Sequence, residues 1–258
     1  MIFRPALWPD RWPDRWPYPR WIAHRGGGSA APENTLAAMR IGAAAGFRMV
    51  EFDVMLSREG VPVLIHDETL ERTTDGIGEV SAHDCAELMR LDAGGWFGPA
   101  FAGERLPTLE QAIDCLQALQ LCANIEIKPA TGFERETGRV AARLIASRWP
   151  AGAVPPLLSS FSAEALEAAR EVAPDLPRGM LFETVPEDWA AQLRAHAAVS
   201  IHCDQATLDD AVLRSVSEAG VPLLCYTVND AGRAAALLAA GVAGLFTDRL
   251  DLPQRLCA

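Results

Sequence analysis

The chain has 258 residues, half of them apolar and 22% charged, with a formal net charge of −11. That length holds one large α/β barrel or two small domains, and the composition is that of an ordinary soluble globular protein. So acidic a balance excludes sequence-independent nucleic-acid binding and supplies no polybasic segment for an anionic membrane.

Residues 1–19 read as an arm. Trp8-Pro9-Asp10-Arg11 recurs as Trp12-Pro13-Asp14-Arg15, and Trp16-Pro17-Tyr18-Pro19 follows. Proline at this density prevents helix and central strand. The tryptophans call for cover, from the protein's own surface or from the partner in a homodimer; an aromatic cage for choline is the other use of such residues. Arg4, Pro5, Pro9 and Asp10 break up any signal-peptide core. The uncharged apolar run 234–247 contains two glycines and is shorter than the roughly 18 residues of a membrane span. A cytoplasmic protein without stable membrane insertion is expected.

From residue 20 the pattern alternates. Strand-like runs fall at 20–24, 49–54, 61–65, 123–128, 156–160, 178–182, 198–202, 222–227 and 243–247, and helix-like runs at 34–46, 108–120, 134–148, 163–172, 187–196, 208–219 and 230–239. Alternation with short links implies parallel strands joined by helical crossovers. Eight such units over residues 20–258 predict a TIM (β/α)₈ barrel. The run 61–65 follows 49–54 across a short turn and reads as a hairpin arm outside the barrel. Residues 68–107, with one short helical run at 83–90, are too long for an ordinary loop. They read as a small insertion subdomain after the second barrel strand, placed over the mouth. The six cysteines show no C-x-x-C or zinc spacing and read as reduced and partly buried.

Four acid–histidine clusters end apolar runs: His24-Arg25-Gly26, Glu51-Phe52-Asp53, His66-Asp67 and Glu126-Ile127-Lys128. On a strand, residues two apart share a face, so Glu51 and Asp53 project together, as do Glu126 and Lys128. Each piece alone has a plain reading, as a solvated face or a surface ion pair. Their joint occurrence at successive strand ends points to one site, because barrel chemistry gathers there. Three carboxylates offer the hard oxygen ligands that Mg²⁺ or Ca²⁺ prefers. Arg25 and Lys128 suit phosphate oxygens, and His24 and His66 suit proton transfer near neutral pH. With one divalent ion and a phosphodiester monoanion, these charges sum to zero. His83, His196 and His202 lack such company and read as structural.

Taken in order, His24-Arg25-Gly26, Ala31-Pro32-Glu33-Asn34-Thr35, Glu51-Phe52-Asp53-Val54, His66-Asp67, Glu126-Ile127-Lys128 and Tyr226-Thr227-Val228-Asn229 resemble the glycerophosphodiester phosphodiesterases, from about residue 20 to Asp248. The resemblance implies a TIM barrel with a small insertion, and hydrolysis of glycerophosphodiesters to glycerol 3-phosphate and an alcohol. It implies metal ligation by Glu51, Asp53 and Glu126, His24 and His66 as the acid–base pair, and phosphate contacts at Arg25 and Lys128. Trp often stands in the family where Tyr226 stands here, so the pocket's aromatic wall is smaller. Trp96 and Phe97 of the insertion, with Phe161 and Tyr226, are the candidate pocket aromatics. A lysophospholipase D-like relative would need an apolar acyl trough, and a purely binding barrel would have lost a ligand or a histidine. Locally, Asn34 or Thr35 can cap the helix that follows, and Gly26-Gly27-Gly28 leaves a loop free to approach an anion.

Overall fold

The computed structural model describes residues 16–257. Residues 1–15, most of the Trp/Pro arm, lie outside the described part. Eight parallel strands form a closed ring: β1 (Trp21–Ala23), β2 (Met49–Leu56), β4 (Cys122–Ile127), β5 (Leu157–Ser160), β6 (Arg178–Phe182), β7 (Ser200–Asp204), β8 (Leu223–Tyr226) and β9 (Gly244–Thr247). The ring closes where β1 pairs with both β2 and β9, with Trp21, Ile22 and Ala23 opposite Leu245, Phe246 and Thr247. This is a TIM barrel. β3 (Pro62–Leu64) pairs antiparallel with β2 outside the ring, as expected of a hairpin arm.

The helices follow the strands in turn: α1 (Leu36–Ala44), the short α2 (Cys85–Leu88), α3 (Leu109–Leu119), α4 (Glu134–Arg148), α5 (Ala163–Val172), α6 (Trp189–His196), α7 (Asp210–Glu218), α8 (Ala231–Ala239) and α9 (Leu252–Cys257). Their starts follow from local chemistry. Thr108 and Gln111 form a reciprocal capping box on α3, and Thr35, Ser162, Asp209 and Asp230 cap α1, α5, α7 and α8. Of the two candidate caps on α1, Thr35 takes the role, accepting from Ala38 N at 3.1 Å.

Strand alternation sorts the core. Val50, Phe52, Val54, Ile125 and Ile127 face outward and pack under α3 and α4 with Leu109, Ile113, Leu116, Ala141 and Ile145. Each such aliphatic side chain, fully buried, contributes about 1.5–3 kcal/mol. Inside the ring, Ile22, Met49, Leu157, Val199, Leu224 and Phe246 pack with Tyr18, whose hydroxyl donates to the Pro155 carbonyl at 2.8 Å. The end of the arm thus helps fill the barrel. The apolar fill leaves Glu51, Asp53, Asn124 and Glu126 on the inward faces of β2 and β4, with Asp53 opposite Glu126 and Glu51 opposite Asn124.

The segment after β3 carries α2, two 3₁₀ turns and two isolated bridges, Thr69–Glu79 and Asp92–Arg105. Leu70, Val80, Leu88 and Leu106 bury together against Met55 and Val63 of the hairpin. The segment, expected over the mouth, is anchored on this hairpin. Its apolar residues find their cover on the hairpin, and none of its residues lines the cavity at the mouth.

Candidate active site

A cavity of about 570 Å³ opens at the carboxyl ends of the strands. Glu51, Asp53 and Glu126 project into it, and oxygens of all three lie within 4.8 Å of one another. Glu51 and Asp53 are 3% and 2% exposed. Burial, and then the charge of Asp53, push both Glu51 and Glu126 above the usual carboxylate range. Three crowded acids, two buried and one half-buried, form a set that a divalent ion would relieve. Oxygen donors alone are what Mg²⁺ or Ca²⁺ takes, so the residues fit the ion.

The carboxylates are fixed by their neighbours. Glu51 Oε2 accepts from the Arg25 backbone N at 2.8 Å. Asp53 is clamped by Asn34, whose Nδ2 donates to Oδ2 at 2.9 Å while the Asp53 N–H donates back to Asn34 Oδ1 at 3.0 Å. Arg25 and Asn34 adopt positive φ, 50° and 59°, conformations that non-glycine residues take at a cost. Asn34, expected as a cap candidate, instead orients a member of the acid cluster. One of the loop glycines also has a packing role. Gly28, at φ 52°, could not carry a side chain, because a Cβ would sit 2.3 Å from the Asp248 carbonyl oxygen. At Gly28 the loop packs on Asp248, the residue that follows β9.

Both histidines line the cavity, and each is backed by a carboxylate. His24 Nδ1 donates to Asp248 Oδ1 at 2.7 Å, and its Nε2 lies 3.9 Å from Glu51 Oε2. Asn229 Nδ2 donates to the other Asp248 oxygen at 2.8 Å. His66 Nδ1 donates to Asp67 Oδ1 at 2.6 Å. Burial disfavours the His24 imidazolium, but Asp248 and Glu51 outweigh it and hold the pKa above 6.5. Burial of His66, helped by Arg25 and Lys128, outweighs Asp53 and Asp67 and holds it below 6.5. The two imidazoles are thus driven apart, one toward the acid form and one toward the base.

Arg25 and Lys128 complete the floor. Arg25 Nη1 donates to Glu33 Oε1 at 2.8 Å, and Nε lies 3.8 Å from Asp53 Oδ2. That Nε is buried with no hydrogen-bond partner among the described residues. Lys128 Nζ is 3.4 Å from Glu126 Oε1 and 5.9 Å from the centre of the Phe161 ring. Phe161 meets Tyr226 edge-on at 6.1 Å, and the Tyr226 hydroxyl donates to the Phe182 carbonyl at 2.9 Å. These two aromatics, with Leu181, Glu183, Asp204 and Thr207, form the far wall. Trp96 and Phe97 do not. They stack edge-on beside a separate groove with Gly28, Glu33 and Asp248, because the insertion turns its aromatics toward the β1–α1 loop. Asp248, Asp67, Asn229 and Asn34 did not stand out in the sequence as site residues. The quoted motifs contain the last three, but nothing local separates a supporting polar residue from a cap.

The model of the glycerophosphoryl diester phosphodiesterase family matches residues 24–252. The chain belongs to that family. It is 35% identical over 228 residues to a glycerophosphodiester phosphodiesterase of Caldanaerobacter subterraneus subsp. tengcongensis, covering 88% of this chain and 93% of the relative. Against a Bacillus subtilis glycerophosphodiester phosphodiesterase it is 32% identical, covering 90% and 84%. An Oleispira antarctica phosphodiesterase, solved in complex with the product sn-glycerol-3-phosphate, superposes with a TM-score of 0.87 at 37% identity, over 93% of this chain and 96% of that one. Membership makes the chain a phosphoric diester hydrolase on a TIM barrel. No described helix is long and apolar enough to cross a membrane.

Proposed function

We propose that the chain hydrolyses glycerophosphodiesters to glycerol 3-phosphate and an alcohol, with one divalent cation, Mg²⁺ or Ca²⁺, held by Glu51, Asp53 and Glu126. The observation that carries this reading is the convergence of that acid cluster with two carboxylate-backed histidines in one cavity. The product bound to the Oleispira relative supports it.

When bound, the cation would polarise a phosphoryl oxygen and acidify a hydroxyl beside it. The chain's own residues supply the rest. Arg25, with its unpartnered Nε, and Lys128 take phosphate oxygens. His66, held toward its neutral form, accepts the proton of the attacking hydroxyl. His24, held toward its charged form by Asp248, protonates the departing alcohol. Attack by the substrate's own glycerol 2-hydroxyl makes the first step intramolecular, which is worth several kcal/mol. It forms a cyclic phosphate as the alcohol leaves. Water then opens the ring, with the two histidines exchanging roles.

The test is a coupled glycerol 3-phosphate assay over choline, ethanolamine and glycerol diesters, with chelator and with added Mg²⁺ or Ca²⁺. Turnover that chelation abolishes and either ion restores is expected. Full activity of exhaustively chelated protein would remove the metal from the reading. Equal turnover of a 2-deoxy substrate would make water the first nucleophile.

A further inference from the structure

We propose that Arg72, which lies outside the cavity, is a positioning residue that holds His66 and Arg25 in place together. The proposal rests on the catalytic reading above, because it concerns how two residues of that site are aimed.

Arg72 belongs to the insertion. Its guanidinium forks twice. Nη1 and Nη2 donate to Glu33 Oε2 and Oε1, both at 2.8 Å. Nε and Nη2 donate to the two oxygens of Asp67, the latter at 3.1 Å. Glu33 Oε1 also accepts from Arg25, and Asp67 Oδ1 from His66. An unbroken chain therefore runs from His66 through Asp67, Arg72 and Glu33 to Arg25. Its two ends line the cavity, and its three middle members do not.

The arrangement is poorly explained as a stabilising device. Arg72's side chain is 44% exposed, and exposed ion pairs contribute about 0–1 kcal/mol. What a doubly bidentate guanidinium supplies is direction, because its planar fork fixes both carboxylates. Each carboxylate in turn fixes the side chain of one cavity residue, His66 or Arg25, that has no other side-chain hydrogen bond among the described residues. The fork also balances charge. His66 faces Asp53 from β2, Asp67 beside it, Glu33 and Arg25 from the β1–α1 loop, and Lys128 after β4. Without Arg72, Asp67 and Glu33 lose their shared counter-charge, and the His66 imidazolium becomes easier to form.

The experiment compares Arg72→Met and Arg72→Lys with wild type in kcat, KM and the pH profile. Arg58→Met serves as control, since Arg58 makes a still more exposed ion pair with Asp84 and neither residue lines the cavity. Arg72→Met should lower kcat about 10–100-fold, the usual effect of removing a partner that orients a working group. It should move the acid limb of the profile upward by about half a pH unit or more. Arg72→Lys should return the limb toward wild type yet recover kcat only in part, because it restores the charge without the fork. Arg58→Met should match wild type in both. An Arg72→Met protein within about twofold of wild type with an unmoved limb overturns the proposal, as does an equal loss in Arg58→Met. Should wild type turn over no glycerophosphodiester, the functional reading falls by itself. The positioning is then read by histidine-selective NMR, where an unchanged His66 titration in Arg72→Met overturns it.

Discussion

Asp248 carries more of the site than its position suggests. It is the first residue after β9, and it reaches His24 across 224 residues of chain. Asn229 grips its second oxygen at 2.8 Å and its backbone N–H at 2.8 Å, so the carboxylate is aimed before any substrate arrives. Asp248→Asn keeps the shape and removes the charge that favours the His24 imidazolium. A fall in kcat of about 10–100-fold with little change in KM is expected in steady-state assays. At the opposite extreme stands His202. It is fully buried on β7, with Nε2 3.1 Å from Ser200 Oγ, and burial pushes its pKa from 6.5 down to about 3. The unfolded chain therefore binds this proton from about pH 6.5 downward while the native chain does not. Stability falls with falling pH across that window by about 1.4 kcal/mol per unit. Urea midpoints measured from pH 7 to 4 should fall more steeply for wild type than for His202→Gln, and parallel curves would contradict the assignment. The sequence marks His202 as structural because it has no acidic company. It leaves Asp248 silent because a partner 224 residues away has no local spacing to reveal it.

The elements themselves were legible for a physical reason. All nine strand runs and the seven long helices announce themselves through apolar runs, period-3.6 faces and Ser, Thr or Asp caps, and the structure places each within a few residues of its expected bounds. β3 was recognisable as an arm because its link to β2 is too short for a parallel crossover. The insertion was different. Its extent could be seen, but its resting place depends on which apolar side chains find cover. Leu70, Val80, Leu88 and Leu106 find it on the hairpin, and that choice has no periodic signature. On the proposed function, Phe161 and Tyr226, at the ends of β5 and β8, would form the headgroup wall. Phe161→Ala should change the ranking of choline, ethanolamine and glycerol diesters, raising KM for the best of them severalfold. Trp96→Ala should leave kcat/KM within about twofold, as a surface change remote from the cavity does. If the order of sensitivity is reversed, the wall has been assigned to the wrong loops.

For the whole molecule, the acid cluster is a destabilising feature that folding tolerates for function. Buried carboxylates within 4.8 Å repel one another. An ion that binds only the native state stabilises by mass action, about 2.7 kcal/mol at a hundredfold excess over Kd. For a domain of this size that is a rise in Tm of about 5–10 °C. Wild type should show such a rise with Mg²⁺ or Ca²⁺ after chelation. Asp53→Asn should start higher in the chelated state, because one repelling charge is gone, and should gain almost nothing from the ion. Calorimetry in which both proteins respond equally would place the ion elsewhere. The ring closure has a consequence of another kind. β1, which delivers His24, has its second edge covered only by β9, at Leu245–Thr247. During synthesis the first strand emerges early and must wait for nearly the last one before its edge is sealed. Until then that edge is an open template for mispairing. A ribosome stalled before residue 244 would therefore hold an adhesive, incomplete ring, and catalytic competence would appear abruptly once β9 emerges.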